Sequence, residues 1–234
     1  MAAITPPELQ RLPLFQDLST EQCEQLLDRH FENQHGPEQV LVMEGDWGES
    51  LFLLRRGMAK VRTFNVDGEE AVMALLGEGD IFGEMAALGD VGRSADVVAL
   101  IPTSIIKIRA AAFQSLLHSH APFALALARL EAARLRDLNQ RFAVQARDAT
   151  TRLLDALAYL ARCSSAARDP LAPIPPLAQR EVGAIAGLAR ETASRTLSKL
   201  RSRGLVEEVD GMLRLTDLQP LRQRGLLPRS GSNG

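Results

Sequence analysis

The strongest constraint on this chain is a change of hydrophobic period. Between residues 36 and 109, short apolar runs alternate with glycine-bearing turns. The runs are 39–43, 50–54, 59–64, 71–75, 97–100 and 104–108, with Glu44-Gly45-Asp46, Arg56-Gly57, Asp67-Gly68 and Gly77-Glu78-Gly79-Asp80 after the first four. Short strands at such spacing read as a sandwich, barrel or jelly roll. From 110 to 147 glycine is absent and Ala, Leu, Arg and Gln dominate, which is long-helix material. The expected class is therefore α+β: an antiparallel β-roll over 36–109, then a long helix.

Upstream, residues 9–30 alternate short helical patterns with turns. Ser19 is a good N-cap, with Gln22 as its capping-box partner. Leu135, Leu138, Phe142 and Gln145 follow the 3-4-3 spacing of a coiled-coil seam, and Arg134, Arg141 and Arg147 fall on the opposite face. The stripe packs either on the β-roll or against its copy in a second chain. We expect a homodimer through Leu135, Leu138 and Phe142. A second helix begins near Asp148, which can cap it, and runs to about Arg162. Four prolines between 163 and 176, Pro170, Pro173, Pro175 and Pro176, then stop helices.

The last segment carries a DNA-reading pattern. A short helix over 177–185, a tight turn at Ala186-Gly187-Leu188 and a second helix over 189–203 make a helix-turn-helix. Asp210-Gly211 between two short apolar runs is a hairpin signal, which completes a winged helix. The second helix opens with Arg190-Glu191-Thr192-Ala193-Ser194-Arg195. Recognition helices contact bases with their N-terminal residues, arginine pairing with guanine and glutamate accepting from the cytosine amine. The plainer reading of these charges is a solvated Arg–Glu–Arg cluster. Charge asymmetry favours the DNA reading. Residues 163–234 hold 11 basic and 7 acidic side chains against 16 and 22 in residues 1–162, so a net of +4 faces a net of −6.

Residues 77–95 hold Phe82-Gly83-Glu84, followed nine residues after the glutamate by Arg93-Ser94-Ala95. Here the chain resembles the cyclic-AMP receptor protein and fumarate-nitrate regulator family of bacterial transcription factors, over nearly its whole length. The resemblance implies three parts: a cyclic-nucleotide-binding-like sensor over 1–120, a dimerisation helix and hinge over 121–147, and a winged-helix DNA-binding domain over 148–234. It assigns Glu84 to a ribose hydroxyl and Arg93 to a cyclic phosphate. Ser94 and the backbone of Gly83 and Ala95 complete the cradle. Guanidinium suits a phosphate diester, and clustered amides make an anion nest. An adjacent Thr-Ser pair grips adenine in the enterobacterial receptor; here Asp137 and Leu138 stand there, and Asp137 could serve adenine or guanine.

Cyclic AMP is thus the first expected effector, with cyclic GMP, a cyclic dinucleotide or no nucleotide as alternatives. A regulatory cyclic-nucleotide module that binds no DNA is the competing class. The resemblance further implies a palindromic operator with half-sites near TGTGA, read by Arg190, Glu191, Ser194 and Arg195 with Arg180 and Lys199 beside them. It also implies RNA polymerase as a partner, and a hinge near residues 143–148.

Several functions are expected to be absent. Two cysteines, Cys23 and Cys163, cannot staple 234 residues or hold an iron–sulfur cluster. His30, His35, His118 and His120 form no metal-ligand spacing, so neither metal nor haem is expected. Ser104-Ile105-Ile106-Lys107 matches a penicillin-binding string, but in a β-branched run without its companions. The expectation is no enzyme. No stretch reaches the roughly 18 apolar residues of a membrane span. Residues 1–10 lack the pattern of a signal peptide, so the cytoplasm is the expected compartment.

Overall fold

The computed structural model describes residues 4–89 and 92–227. Asp90 and Val91 of the expected binding segment, and the outer ends of the expected first and third parts, lie outside them. The order is α1 (Pro6–Gln10), α2 (Thr20–Leu27), β1 (Phe31–His35), β2 (Val40–Val42), β3 (Ser50–Arg56), β4 (Ala59–Phe64), β5 (Glu70–Leu76), β6 (Ile81–Phe82), α3 (Glu84–Leu88), β7 (Asp96–Ala99) and β8 (Thr103–Arg109). The helices α4 (Ala110–Ser119), α5 (Ala121–Gln145) and α6 (Ala149–Cys163) follow, then α7 (Gln179–Ala186), α8 (Arg190–Ser202), β9 (Val206–Val209), β10 (Met212–Leu215) and α9 (Gln219–Gln223).

The β-roll is two four-stranded antiparallel sheets, ordered β1-β8-β3-β6 and β2-β7-β4-β5. Leu54, Phe82 and Ile105 of one sheet meet Val42, Ala59, Leu76 and Val97 of the other in a buried layer. The outer face of the first sheet, through Leu51, Leu53, Ile106 and Ile108, packs on α1, α2, α4 and α5 around Phe15, Phe113 and Phe123. Ser19 caps α2 reciprocally with Gln22, as its spacing predicts.

Three features depart from or add to the sequence reading. The roll begins at β1, before residue 36; Phe31, Asn33 and His35 pair with Lys107, Ile105 and Thr103 of β8. This strand is mostly polar, so periodicity does not reveal it; its partner supplies the reason for extension. The two-residue β6 is held by β3. Within the long-helix stretch 110–147, α4 and α5 part at His120, whose φ of −130° and ψ of 87° leave the helical region. Pro122 starts the next helix, where a missing N–H costs nothing.

The winged helix follows expectation. Asp210 and Gly211 both take positive φ, 53° and 76°, as a two-residue hairpin turn of this hand demands. Its core does not close on itself. Met58, Leu75 and Leu100 of the roll are buried in one cluster with Leu153, Leu157 and Leu160 of α6 and Val182 and Ile185 of α7. The Tyr159 hydroxyl accepts from the Leu75 amide at 3.0 Å and donates to the Leu75 carbonyl at 3.3 Å. The winged helix is therefore packed against the β-roll.

Candidate functional site

The turn between β6 and α3 builds the first site. Gly83 takes φ 78° there, and a Cβ would lie 2.5 Å from the Arg93 Nη1, so only glycine fits. The next residue, Glu84, is 5% exposed. Its Oε1 accepts from Arg134 Nη1 at 3.0 Å, whereas Oε2 is buried without a hydrogen-bond partner. Burial pushes the Glu84 carboxyl above its ordinary value, against the pull of Arg134.

Arg93 is 7% exposed. Its guanidinium donates to the carbonyls of Ser50 at 2.6 Å, Gly83 at 2.8 Å and Gly48 at 3.5 Å, and stands over the Phe52 ring. Burial lowers its pKa, opposed by the charges of Glu84 and Asp46. Among the described residues it makes no ion pair. A buried cation satisfied only by carbonyls beside a buried carboxylate oxygen with no partner is an arrangement made for a ligand carrying both an anion and a hydroxyl.

A cavity of about 350 Å³ opens on these groups. Gly83, Glu84, Arg93, Ser94 and Ala95 all line it, so the structure brings together five of the six residues expected there. The sixth, Asp137, does not line it. It is exposed and lines an adjoining cavity with Tyr159 and Arg162. On α5 the face turned to this cavity carries Glu131, Arg134, Leu135 and Leu138. Arg134, given no part in the site by the sequence reading, binds Glu84, Glu131 and the Ile81 carbonyl. Arg141 also turns inward, onto the Met73 and Val72 carbonyls at 2.9 and 2.8 Å. Helix periodicity gives relative positions around α5, but the rotation of the helix on the roll is set by contacts that sequence spacing does not contain.

Of the seam residues, Leu135 and Phe142 stay open, while Leu138 is half-buried at the cavity wall. Phe142 is 81% and Leu135 59% exposed, on a helix of 25 residues. Asp148 caps α6, its Oδ1 accepting from the amides of Thr150 and Thr151 at 3.0 and 3.1 Å.

The second site is the exposed face of α8. Ala193, Thr196, Leu197 and Leu200 turn inward and are buried, while Arg190, Glu191, Arg195 and Lys199 are exposed and Ser194 is half-buried. No ion pair joins Arg190, Glu191 and Arg195 among the described residues, so the solvated Arg–Glu–Arg cluster does not form. Arg180 differs from this set. It pairs with Glu38 of the sensor and lies 3.5 Å from Glu181.

Cys23 and Cys163 are free and buried. No group of three or more His, Cys, Asp or Glu side chains comes together among the described residues. None of the described helices is long and apolar enough to cross a membrane.

Comparison with known proteins matches the two regions that hold these residues. A cyclic nucleotide-binding domain model matches residues 32–120, and a Crp-like helix-turn-helix domain model matches residues 151–224. The chain is 30% identical over 213 residues to the cyclic AMP receptor protein of Thermus thermophilus, covering 90% of this chain and 95% of that protein. It is 28% identical over 188 residues to the cAMP-activated global transcriptional regulator Vfr of Pseudomonas aeruginosa, covering 78% and 88%. In fold it is similar to FixK2 from Bradyrhizobium japonicum, with a TM-score of 0.71 at 21% identity over 83% of this chain and 96% of that one.

Proposed function

The chain belongs to the cyclic-AMP receptor and fumarate-nitrate regulator family of transcription factors, and from that premise we propose a homodimeric regulator whose sensor takes a cyclic nucleotide, cyclic AMP first. The chain is a DNA-binding transcription regulator with a cyclic-nucleotide-binding domain. One observation carries the effector assignment: among the described residues, buried Arg93 has no ion-pair partner and buried Glu84 Oε2 has no hydrogen-bond partner, and both line one cavity. A cyclic phosphate supplies the anion that Arg93 needs, and a ribose 2′-hydroxyl supplies the donor that Glu84 needs. Ser94 and the backbone of Gly83 and Ala95 complete the cradle. The cavity of about 350 Å³ suits a mononucleotide. Effectors named for relatives, cyclic AMP among them, support this choice.

A second reading has its own support. The polar groups of α5 in this cavity are Glu131 and Arg134. Carboxylate can accept from the N1–H and amine of guanine, and guanidinium can donate to its O6 and N7. Cyclic GMP is therefore the alternative effector. Asp137 has no part in the cavity of its own chain.

The exposed set Arg190, Glu191, Ser194, Arg195 and Lys199 reads DNA in this scheme, with the arginines on guanines and Glu191 on cytosine in half-sites near TGTGA. Two subunits join through Leu135, Leu138 and Phe142, because a long helix exposing Phe142 and Leu135 to water gains by covering them. Residues 143–148, where α5 ends and Asp148 starts α6, are the hinge. Effector binding favours the placement in which the two recognition helices stand about 34 Å apart. Linkage is reciprocal, so operator DNA raises effector affinity. RNA polymerase is the further partner, the cytoplasm is the compartment, and the chain acts by binding with no catalytic step.

Calorimetry with cyclic AMP and cyclic GMP tests the effector. Binding of either by the wild type, lost in Arg93→Ala, supports the assignment; equal binding by Arg93→Ala sinks it. A mobility shift on a TGTGA palindrome against random duplex tests the reading helix, since a specific binder keeps a large affinity ratio.

A further inference from the structure

Helix α7 lies on the sheet whose strand β7 follows Arg93, Ser94 and Ala95, and a lysine of that sheet joins helix to sheet. Lys60 of β4 is 2% exposed. Its Nζ donates to Glu70 Oε1 of β5 at 2.5 Å and to Glu181 Oε2 of α7 at 2.6 Å, across 121 residues of sequence. Beside it, Arg180 of α7 pairs with Glu38 of the sensor. A buried ammonium is costly to desolvate and is tolerated only with its carboxylates in place; removing one partner is strongly destabilising. Lys60 therefore specifies one docked position for α7.

The network continues toward the effector site. Glu70 Oε2 accepts from Arg62 Nη1 at 3.1 Å, and Arg62 Nε donates to Asp96 Oδ2 at 3.3 Å. Asp96 is the second residue after Ser94, and its Oδ1 accepts the Glu44 amide at 2.9 Å. Strands β7, β4 and β5 are neighbours, and Arg62 stands opposite Asp96 in register. A continuous line of ion pairs thus runs from the end of the effector segment to the first helix of the DNA-reading motif.

We propose that Lys60 is an autoinhibitory latch. With Glu38 on Arg180, it holds the winged helix on its own sensor in a state of reduced DNA affinity, and the Asp96–Arg62–Glu70 line carries the effector's influence to it. Two features argue for inhibition over mere packing. Docking ties Arg180, a DNA-reading candidate, to sensor and neighbouring carboxylates. It also ties each reading head to its sensor, whereas operator binding needs two heads free to take a set spacing. An effector that weakens the docked arrangement shifts the population to the released one by its differential affinity.

The proposal rests on the DNA-binding function and on the effector site above, and its test separates them. Full-length Lys60→Met and Glu38→Gln are compared with wild type without nucleotide. Both changes lie in the sensor and leave the reading face intact. Glu38 is exposed, so its variant guards against misfolding. Hydrogen exchange of the α7 amides and affinity for the TGTGA duplex are measured. Lys60→Met should raise α7 exchange and tighten DNA binding about tenfold, and Glu38→Gln should do both more weakly. Unchanged α7 exchange in Lys60→Met overturns the latch. So does raised exchange with DNA affinity unchanged or weakened in both variants. If cyclic AMP fails to loosen α7 in the wild type while Lys60→Met loosens it and tightens DNA, the effector assignment fails and the latch stands.

Discussion

Arg134 holds Glu84 at 3.0 Å across 50 residues of sequence, fastening the long helix to the effector turn. The carboxylate proposed to accept a ribose hydroxyl is the one that anchors α5, with Oε1 on Arg134 and Oε2 without a hydrogen-bond partner. Because burial outweighs Arg134 and raises the Glu84 pKa, the folded chain binds that proton more tightly than the unfolded chain. Stability then falls as pH rises from the ordinary carboxylate range through the raised value. Glu84→Gln removes this loss. Its melting temperature should match wild type at about pH 4 and exceed it at about pH 8, while cyclic-nucleotide affinity drops about tenfold. Melting curves across that range and calorimetry check both.

Gly83→Ala should abolish effector binding. A left-handed backbone costs an L-residue roughly 1–2 kcal/mol. The added Cβ also falls 2.5 Å from Arg93 Nη1, which must leave its carbonyl cradle. Calorimetry should show no heat with cyclic AMP, and the melting temperature should fall.

Asp148→Ala should cost about 1 kcal/mol, the usual worth of an N-cap. The Thr151 hydroxyl first, then the amides of Thr151 and Thr150, hold the Asp148 carboxyl below its ordinary value. That stabilisation is present above the ordinary value and is lost as pH falls through the depressed one. Denaturant melts of the variant and wild type should converge at acid pH.

Phe142→Asp should give a monomer in sedimentation, since it puts a charge in the centre of the exposed seam beside Leu138. DNA affinity for the full palindrome should fall toward that for a single half-site.

Glu191→Ala should relax base preference at one position of each half-site by about 1–3 kcal/mol on a degenerate operator library. Overall affinity for random duplex should stay near wild type, because Glu191 is acidic and gains nothing from phosphates.

What the amino-acid sequence determined by itself is the local chemistry. Glycines and Asp210-Gly211 mark the turns because few residues tolerate positive φ. Ser19 and Asp148 mark helix starts because their oxygens reach amides two or three residues on. Phe82-Gly83-Glu84 and Arg93-Ser94-Ala95 are legible because one cavity takes both from a short stretch of chain. The α8 reading face is legible for the same reason, its buried and exposed residues alternating at helical spacing. The tertiary structure alone decided the rest. It turned Arg134 into the effector cavity and left Asp137 outside, because packing of α5 on the roll sets the helix's rotation. It made a strand of polar β1 because β8 offers an edge to pair with. It buried Lys60 between Glu70 and Glu181, since only docking of two domains supplies the second carboxylate that a buried ammonium needs.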